Sequence, residues 1–300
     1  MKPRAVLFWS GGKDSGLALD RLRRAGEVEI VALITTVNSH YRRVSMHGVR
    51  EELVAAQAHA AGLPLDTMYV GPSGTNEAYV AALRQTLGAW RERGVEIVAF
   101  GDIFLADLRQ WRENLLAELG LRGTFPLWQA NTTQLAQEFV ARGFRAVLCC
   151  ANDAMLGEED VGRDMSAAFF ATLPDGVDPC GENGEYHSFV WDGPVFHTPV
   201  EFKVGEKVYR PLEAAPAAVP TNAPAIPVPA APFRRARWRR SDGRARARGP
   251  SAGARAATCG ADRRHPPFSP GPRKIAHLIE PCVPAWLGEH NFLGGFSEPL

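Results

Sequence analysis

Six consecutive residues near the amino terminus, Ser10-Gly11-Gly12-Lys13-Asp14-Ser15, have the chemistry to hold a polyphosphate. Two glycines let the backbone turn tightly and bring N–H groups close to an anion. An apolar run, Ala5–Trp9, precedes the six and a helical pattern follows them. The start of that helix adds N–H donors that lack intrahelical partners, together with the positive end of the helix dipole. The hydroxyls of Ser10 and Ser15 can donate to phosphate oxygens, and Lys13 adds a full positive charge. The result is a nest for pyrophosphate. A Walker A loop is excluded, because a single residue separates Ser10 from the second glycine where that motif needs Gly-x-x-x-x-Gly-Lys. The difference is chemical: Walker A enzymes usually release the γ-phosphate.

The elements that must carry this loop are legible upstream and downstream. Ala5–Trp9, Ile30–Val37, Leu65–Val70, Glu96–Phe100 and Arg145–Cys150 read as strands. Ser15–Ala25, Val49–Ala61, Asn76–Arg93, Leu108–Leu119 and Thr132–Arg142 read as helices, the last four stopped by Gly62, Gly94, Gly120 and Gly143. Runs such as Ile-Val-Ala-Leu-Ile lack polar alternation, which marks strands buried on both faces. Strand and helix in alternation predict an α/β fold, a Rossmann-like parallel sheet covered by helices. Ligands of such sheets bind outside the carboxyl ends of the strands, where Gly101-Asp102-Ile103 lies. Beyond residue 172 short strands separated by Gly and Pro (Phe189–Trp191, Val195–Phe196, Val200–Val204, Lys207–Tyr209) predict a small β-rich region that closes over the ligand.

Composition sets the frame: 45% hydrophobic and 22% charged residues are ordinary for a globular protein, and no apolar run approaches the roughly 20 residues that span a bilayer. With no secretory leader pattern, a cytoplasmic protein without a membrane partner is expected. The five cysteines, Cys149, Cys150, Cys180, Cys259 and Cys282, include no Cys-x-x-Cys spacing and read mostly as small buried residues. The net charge of +1 hides an asymmetry: residues 1–213 hold 21 basic and 28 acidic side chains, residues 214–300 hold 13 and 5. That last segment also has 14 of the 23 prolines and an Arg-rich run, Arg234–Arg248. Disorder is expected for it, since such a tract cannot bury enough apolar surface to offset ordering entropy. Out-of-frame translation of a GC-rich gene gives the same composition, so the tail carries no assigned function. The expected organisation is a PP-loop ATP-binding α/β domain (1–172), a small β-rich closing region (173–213) and a tail (214–300).

Ser-Gly-Gly-Lys-Asp-Ser resembles the PP-loop motif of the adenine nucleotide α-hydrolase-like enzymes, which bind the β- and γ-phosphates as a leaving group while the α-phosphate is attacked. Further segments narrow the likeness: Gly101-Asp102-Ile103 leading into Arg109-Gln110-Trp111, then Pro126-Leu127-Trp128, Ser45-Met46-His47-Gly48, and Gly181-Glu182-Asn183-Gly184-Glu185-Tyr186. At these residues the chain resembles the diphthine–ammonia ligase family, the ATP-binding diphthamide synthases, over residues 4–210. Archaeal and eukaryotic relatives typically continue Gly-Glu-Tyr-Glu-Thr; here Gly-Glu-Tyr-His-Ser is similar to a bacterial branch.

The resemblance implies an AMP-forming ligase. ATP adenylates the carboxylate of diphthine on elongation factor 2, and ammonia then displaces AMP to leave an amide. ATP, Mg2+ and ammonium are the implied small ligands. Ser10, Gly11, Gly12 and Ser15 would cradle pyrophosphate, Lys13 would stabilise charge on it, and Asp14 would hold the loop or reach magnesium. Asp102 and Glu113 are candidates for metal, ammonia or loop positioning. Glu182 and Glu185 would both face the site for ammonium binding or proton removal. Simpler roles compete: a cap for Asp102, a helix-surface charge for Glu113, turn ordering for Glu182 and Glu185, hydrogen-bonded structural roles for His47 and His187, and wall positions for Trp111 and Trp128. The alternatives in function are a PP-loop tRNA-modifying enzyme, for which the basic tail leaves nucleic acid open as a partner, an enzyme acting on another carboxylate, and a nucleotide-binding regulatory module.

Overall fold

A computed structural model describes residues 1–45, 47–71, 76–211 and 273–281, the last nine, with Arg210 and Pro211, by their backbone alone. In chain order the elements are β1 (Arg4–Phe8), α1 (Lys13–Ala25), β2 (Glu29–Asn38), β3 (Arg43–Val44), α2 (Glu51–Ala60), β4 (Leu65–Val70), α3 (Asn76–Glu92), β5 (Val95–Ala99), α4 (Ala106–Glu118) and β6 (Arg122–Thr124). These are followed by α5 (Thr132–Ala141), β7 (Arg145–Asn152), α6 (Ala167–Ala171), β8 (Tyr186–Asp192), β9 (Phe202–Pro211) and β10 (Arg273–Pro281).

Two sheets divide the strands. In the first, β4, β2, β1, β5 and β6 run parallel, and β3 pairs antiparallel with the end of β2. Successive residues of a strand face opposite sides, and the two faces of β1 and β2 accordingly enter different cores. Val6, Ala32 and Ile34 pack with Leu83, Leu87, Trp90, Leu115 and Leu116 of α3 and α4. Leu7, Leu33 and Val37 pack with Leu17, Leu53 and Val54 of α1 and α2, and this core continues without a break into Val147, Phe189 and Val190 of the second sheet. The four glycines expected to stop helices all have φ between 67° and 82°.

The second sheet, in the order β8-β7-β10-β9, is antiparallel throughout. Three expectations change here. Arg145–Cys150, read with the parallel strands, is β7 of this sheet and pairs with β8 and β10. Val200–Val204 and Lys207–Tyr209 merge into one strand, β9, and Val195–Phe196 is not a strand. Within the segment expected to be a disordered tail, Arg273–Pro281 forms β10 between β7 and β9. Its sequence, Arg-Lys-Ile-Ala-His-Leu-Ile-Glu-Pro, lacks the Pro/Ala/Arg bias of its surroundings and has the apolar content a central strand needs. The Arg234–Arg248 run, Cys259 and Cys282 lie outside the described residues.

Helix α1, which presents the phosphate loop, is anchored at its far side. Asp20, 4% exposed, accepts from Arg24 (2.9 Å) and from Arg142, the residue that caps the end of α5 (2.8 and 3.0 Å). Burial raises the Asp20 carboxyl, but the Arg142 and Arg24 hydrogen bonds outweigh it and hold the group below its ordinary value. Arg21 binds Glu138 of α5 and donates to the carbonyl of Pro126 at 3.0 Å. No helix among the described residues is long and apolar enough to cross a membrane.

Candidate active site

The Ser10–Ser15 loop bridges the carboxyl end of β1 and the start of α1, with Gly12 as the N-terminal cap residue of the helix. Gly11 sits at φ +81°, and a Cβ there would meet Gln57 Oε1 at 2.6 Å. At Gly12 a Cβ would fall 2.8 Å from His47 Cε1 and 3.2 Å from the Ser188 carbonyl. Both positions therefore need glycine, one for conformation and space, the other for space alone. Gly12 N–H donates to Ser10 Oγ (3.3 Å), Ser10 and Ser15 hydroxyls lie 3.4 Å apart, and the Ser15 hydroxyl donates to Gly12 O (2.9 Å). Two hydroxyls and one N–H thus converge on the concave side of the turn.

The loop is fastened to the second sheet. Lys13 N–H donates to Ser188 Oγ at 3.0 Å and Val190 N–H donates to Gly11 O at 2.9 Å. His47 Nδ1 lies 3.4 Å from the Ser188 carbonyl and its ring is 4.5 Å from that of His187. From the first sheet, Gly101 closes against the loop so tightly that a Cβ would be 3.1 Å from Asp14 C.

Lys13 is 1% exposed. Its ammonium group donates to Asp14 Oδ1 at 2.6 Å and to the carbonyl of Cys180, tying the phosphate loop to the segment 178–186. Burial alone lowers a lysine, but the charge of Asp14, with Cys180 and Tyr186 beside it, overcomes that and holds Lys13 above its ordinary value, so the group is cationic at neutral pH. Asp14 is pushed up by burial and pulled back by Lys13, and its carboxyl stands above the ordinary range. Asp102 follows the same pattern. Burial raises it, and Arg112, which binds it directly and stacks over Phe100 (4.1 Å), opposes the rise.

The two glutamates of the 178–186 segment part company. Glu182 is pushed up to about 8, first by burial and then by the charge of Asp14, with Lys13 opposing and Asp102 and Asp178 adding to the rise. It therefore shares one electrostatic neighbourhood with Lys13, Asp14 and Asp102. Glu185, 2% exposed, turns under the segment: it accepts from Asp178 N (3.0 Å), Asn183 N (2.9 Å) and Asn183 Nδ2 (3.0 Å). The two glutamates expected to act together are thus placed differently: Glu182 lies in the field of Lys13, Asp14 and Asp102, and the hydrogen bonds of Glu185 order its own turn. Glu113 is engaged within its own helix. It pairs with Arg109 one helical turn earlier (2.8 Å), and Arg109 in turn stacks on Phe125 and Trp128 at 4.7 and 4.6 Å.

Sequence reasoning assigned no role to Ser188, Asp178 or Gln57. Gln57 had a signal, since it is a polar residue on the buried stripe of α2 with Leu53, Val54 and Ala58. Burial pushes the Cys149 thiol well above its ordinary value and that of Cys180 up to about 12, which keeps both protonated and unreactive at neutral pH.

Models of the diphthamide synthase N-terminal domain and C-terminal domain match residues 3–123 and 131–214, in that order. The chain belongs to the diphthamide synthase family. Its matched segments divide where the two sheets divide, between β6 and β7. Within the family, the diphthine–ammonia ligases of Danio rerio and Homo sapiens are 29% identical over 239 residues, 70% of this chain and 91% and 87% of theirs. The Schizosaccharomyces pombe diphthine–ammonia ligase is 30% identical over 132 residues, 40% of this chain, and the match spans only 22% of that longer protein. A solved structure described as a predicted subunit of tRNA methyltransferase from Methanocaldococcus jannaschii overlaps 48% of this chain and 77% of its own. Its identity is 16% and its TM-score 0.33, too low to support an inference.

Proposed function

We propose that this family member is an ATP-dependent ligase that amidates diphthine with ammonia, releasing AMP and pyrophosphate, with elongation factor 2 carrying the acceptor. The observation that carries the reading is the buried Lys13 ammonium group, which ties the Ser10–Ser15 loop to the segment that bears Glu182. The diphthine carboxylate attacks the α-phosphorus, and the bond from that phosphorus to the α,β-bridging oxygen breaks. The leaving pyrophosphate is met by Gly12 N–H, the Ser10 and Ser15 hydroxyls and the positive charge of Lys13. Ammonium must lose a proton before its lone pair can attack the acyl-adenylate, and the new amide sheds another. Glu182, titrating at about 8, is matched to accept it. Attack expels AMP and leaves the amide.

Magnesium fits this donor set as an ion held chiefly by phosphate. Among the described residues no three His, Cys, Asp or Glu side chains are gathered as a ligand group. The charge of Asp14 nevertheless raises the proton affinity of Asp102 and Glu182, and Asp102 that of Glu182, the situation a divalent cation relieves, and Mg2+ typically takes only one or two carboxylates beside substrate phosphates. When bound it would neutralise charge on the leaving group.

The test is product analysis of the full chain with Mg-ATP, ammonium and diphthine-bearing elongation factor 2. AMP and pyrophosphate formed only with the acceptor are expected, with one amide per AMP. ADP and phosphate instead would overturn the phosphate-loop argument, and AMP without amide would overturn the ligase.

A further inference from the structure

Buried at 0% exposure in α2, Gln57 makes three hydrogen bonds that leave its amide one orientation. Trp9 Nε1–H, which can only donate, reaches Gln57 Oε1 at 3.0 Å. Gln57 Nε2 donates to two carbonyls, Gly11 O at 2.9 Å and Val190 O at 2.5 Å. Gly11 O also receives Val190 N–H at 2.9 Å, so this one carbonyl is held from two directions.

A trans peptide points its C=O and N–H to opposite sides, and the described chain contains no cis peptide. Holding Gly11 O against α2 and β8 therefore forces the N–H of Gly12 to the other side, where Ser10 Oγ and Ser15 Oγ lie. With glycine on both sides, rotation of this peptide about ψ of Gly11 and φ of Gly12 meets little steric resistance, so the turn alone does not choose the direction. We infer that Gln57 is a positioning residue whose side-chain amide locks the Gly11–Gly12 peptide with its N–H toward the pyrophosphate, joining α2 and β8 to the anion site. The inference rests on the nucleotide reading above and adds the group that preorganises the nest.

Calorimetric titration of the full-length protein with inorganic pyrophosphate and with Mg-ATP tests it. In Gln57→Glu a carboxylate faces the carbonyls of Gly11 and Val190, repels both and turns the peptide. Affinity for pyrophosphate should fall about tenfold to a hundredfold at pH 8, the loss of one oriented donor to a charged ligand. Relative to wild type at each pH, that loss should shrink as the pH is lowered and the new carboxyl gains a proton to donate. Gln57→Met, which keeps the volume and leaves Val190 N–H in place, should show a smaller loss without the pH dependence, and carries the test if the glutamate variant fails to fold. Trp9→Phe should lower the melting temperature yet keep affinity, since the two carbonyls still require the amide's NH2 group. Folded Gln57 variants binding pyrophosphate as wild type does would overturn the inference, as would a Trp9→Phe loss equal to theirs, because affinity would then follow stability alone. Wild-type protein binding neither pyrophosphate nor ATP would instead remove the nucleotide reading, and this inference with it.

Discussion

The loop Ser10–Ser15 and the segment Asp178–Tyr186 meet at the Lys13 ammonium group, and they are built by opposite means. The first is a backbone device: two glycines, a helix start and the flanking hydroxyls define it, and outside groups (Ser188, Gln57, Val190) hold it in place. The second is a side-chain device. Asp178 accepts the N–H of Cys180 at 2.7 Å, Glu185 gathers three donors, and Tyr186 donates to the carbonyl of Pro179. A backbone device tolerates few residue types and therefore announces itself in sequence. A side-chain device of the same size can exchange the structural and chemical roles of two identical residues without changing its composition.

The sharpest test of this contrast is at the junction. Lys13→Ala should lower AMP formation about 100- to 1,000-fold, the scale for removing a group aimed at developing charge, in protein that still shows the wild-type circular dichroism spectrum. Retained activity would mean that Lys13 is only the fastener between the two regions. Next in size, Glu185→Gln sets an NH2 group against a donor and should cost about 1.5–3 kcal/mol in urea unfolding, the range for hydrogen bonds to a charged group. If stability were unchanged and only amide formation lost, Glu185 rather than Glu182 would be the chemical member of the pair.

Glu182 gives a smaller effect with a defined sign. Its folded value of about 8 lies above the unfolded carboxyl range, so between those limits the folded protein holds a proton the unfolded chain has released. This contribution to the stability of the unliganded protein is full below the unfolded carboxyl range and declines as pH rises toward 8, Asp14 and Asp102 adding to the slope in the same direction. Glu182→Gln should flatten this decline in melting temperature and remove the ascending limb near pH 8 from the ammonia-dependent rate. An unaltered pH–rate profile would assign proton removal elsewhere. Smallest is Glu113→Gln, which breaks one half-buried helical pair with Arg109 and should cost about 0.3–0.5 kcal/mol, with the turnover number kept. A large loss of turnover would return Glu113 to the site.

What could be read in the sequence was whatever short-range physics decides. Helix stops at Gly62, Gly94, Gly120 and Gly143 and the run into the phosphate loop are local, and they stand where expected. The sheet to which β7 belongs is not local: an unbroken apolar run declares burial on both faces but does not name its neighbours. The separation of Glu182 from Glu185 depends on which way each side chain leaves an aperiodic turn, and spacing has no leverage there. Glu113 was the opposite case, since the Arg109–Glu113 spacing of one helical turn already favoured a surface pair.

The placement of β10 sets the timing of assembly. Strand β9 ends at Pro211, and its neighbour among the described strands, β10, begins only at Arg273. During synthesis more than sixty residues separate the end of β9 from the start of β10. At roughly 5–20 residues per second, the edges of β7 and β9 that β10 covers wait several seconds for it. Strand β8, which supplies Ser188 and Val190 to the phosphate loop, pairs with β7 and does not wait. The ATP-binding half can therefore mature on the ribosome while the sheet beside it is still open.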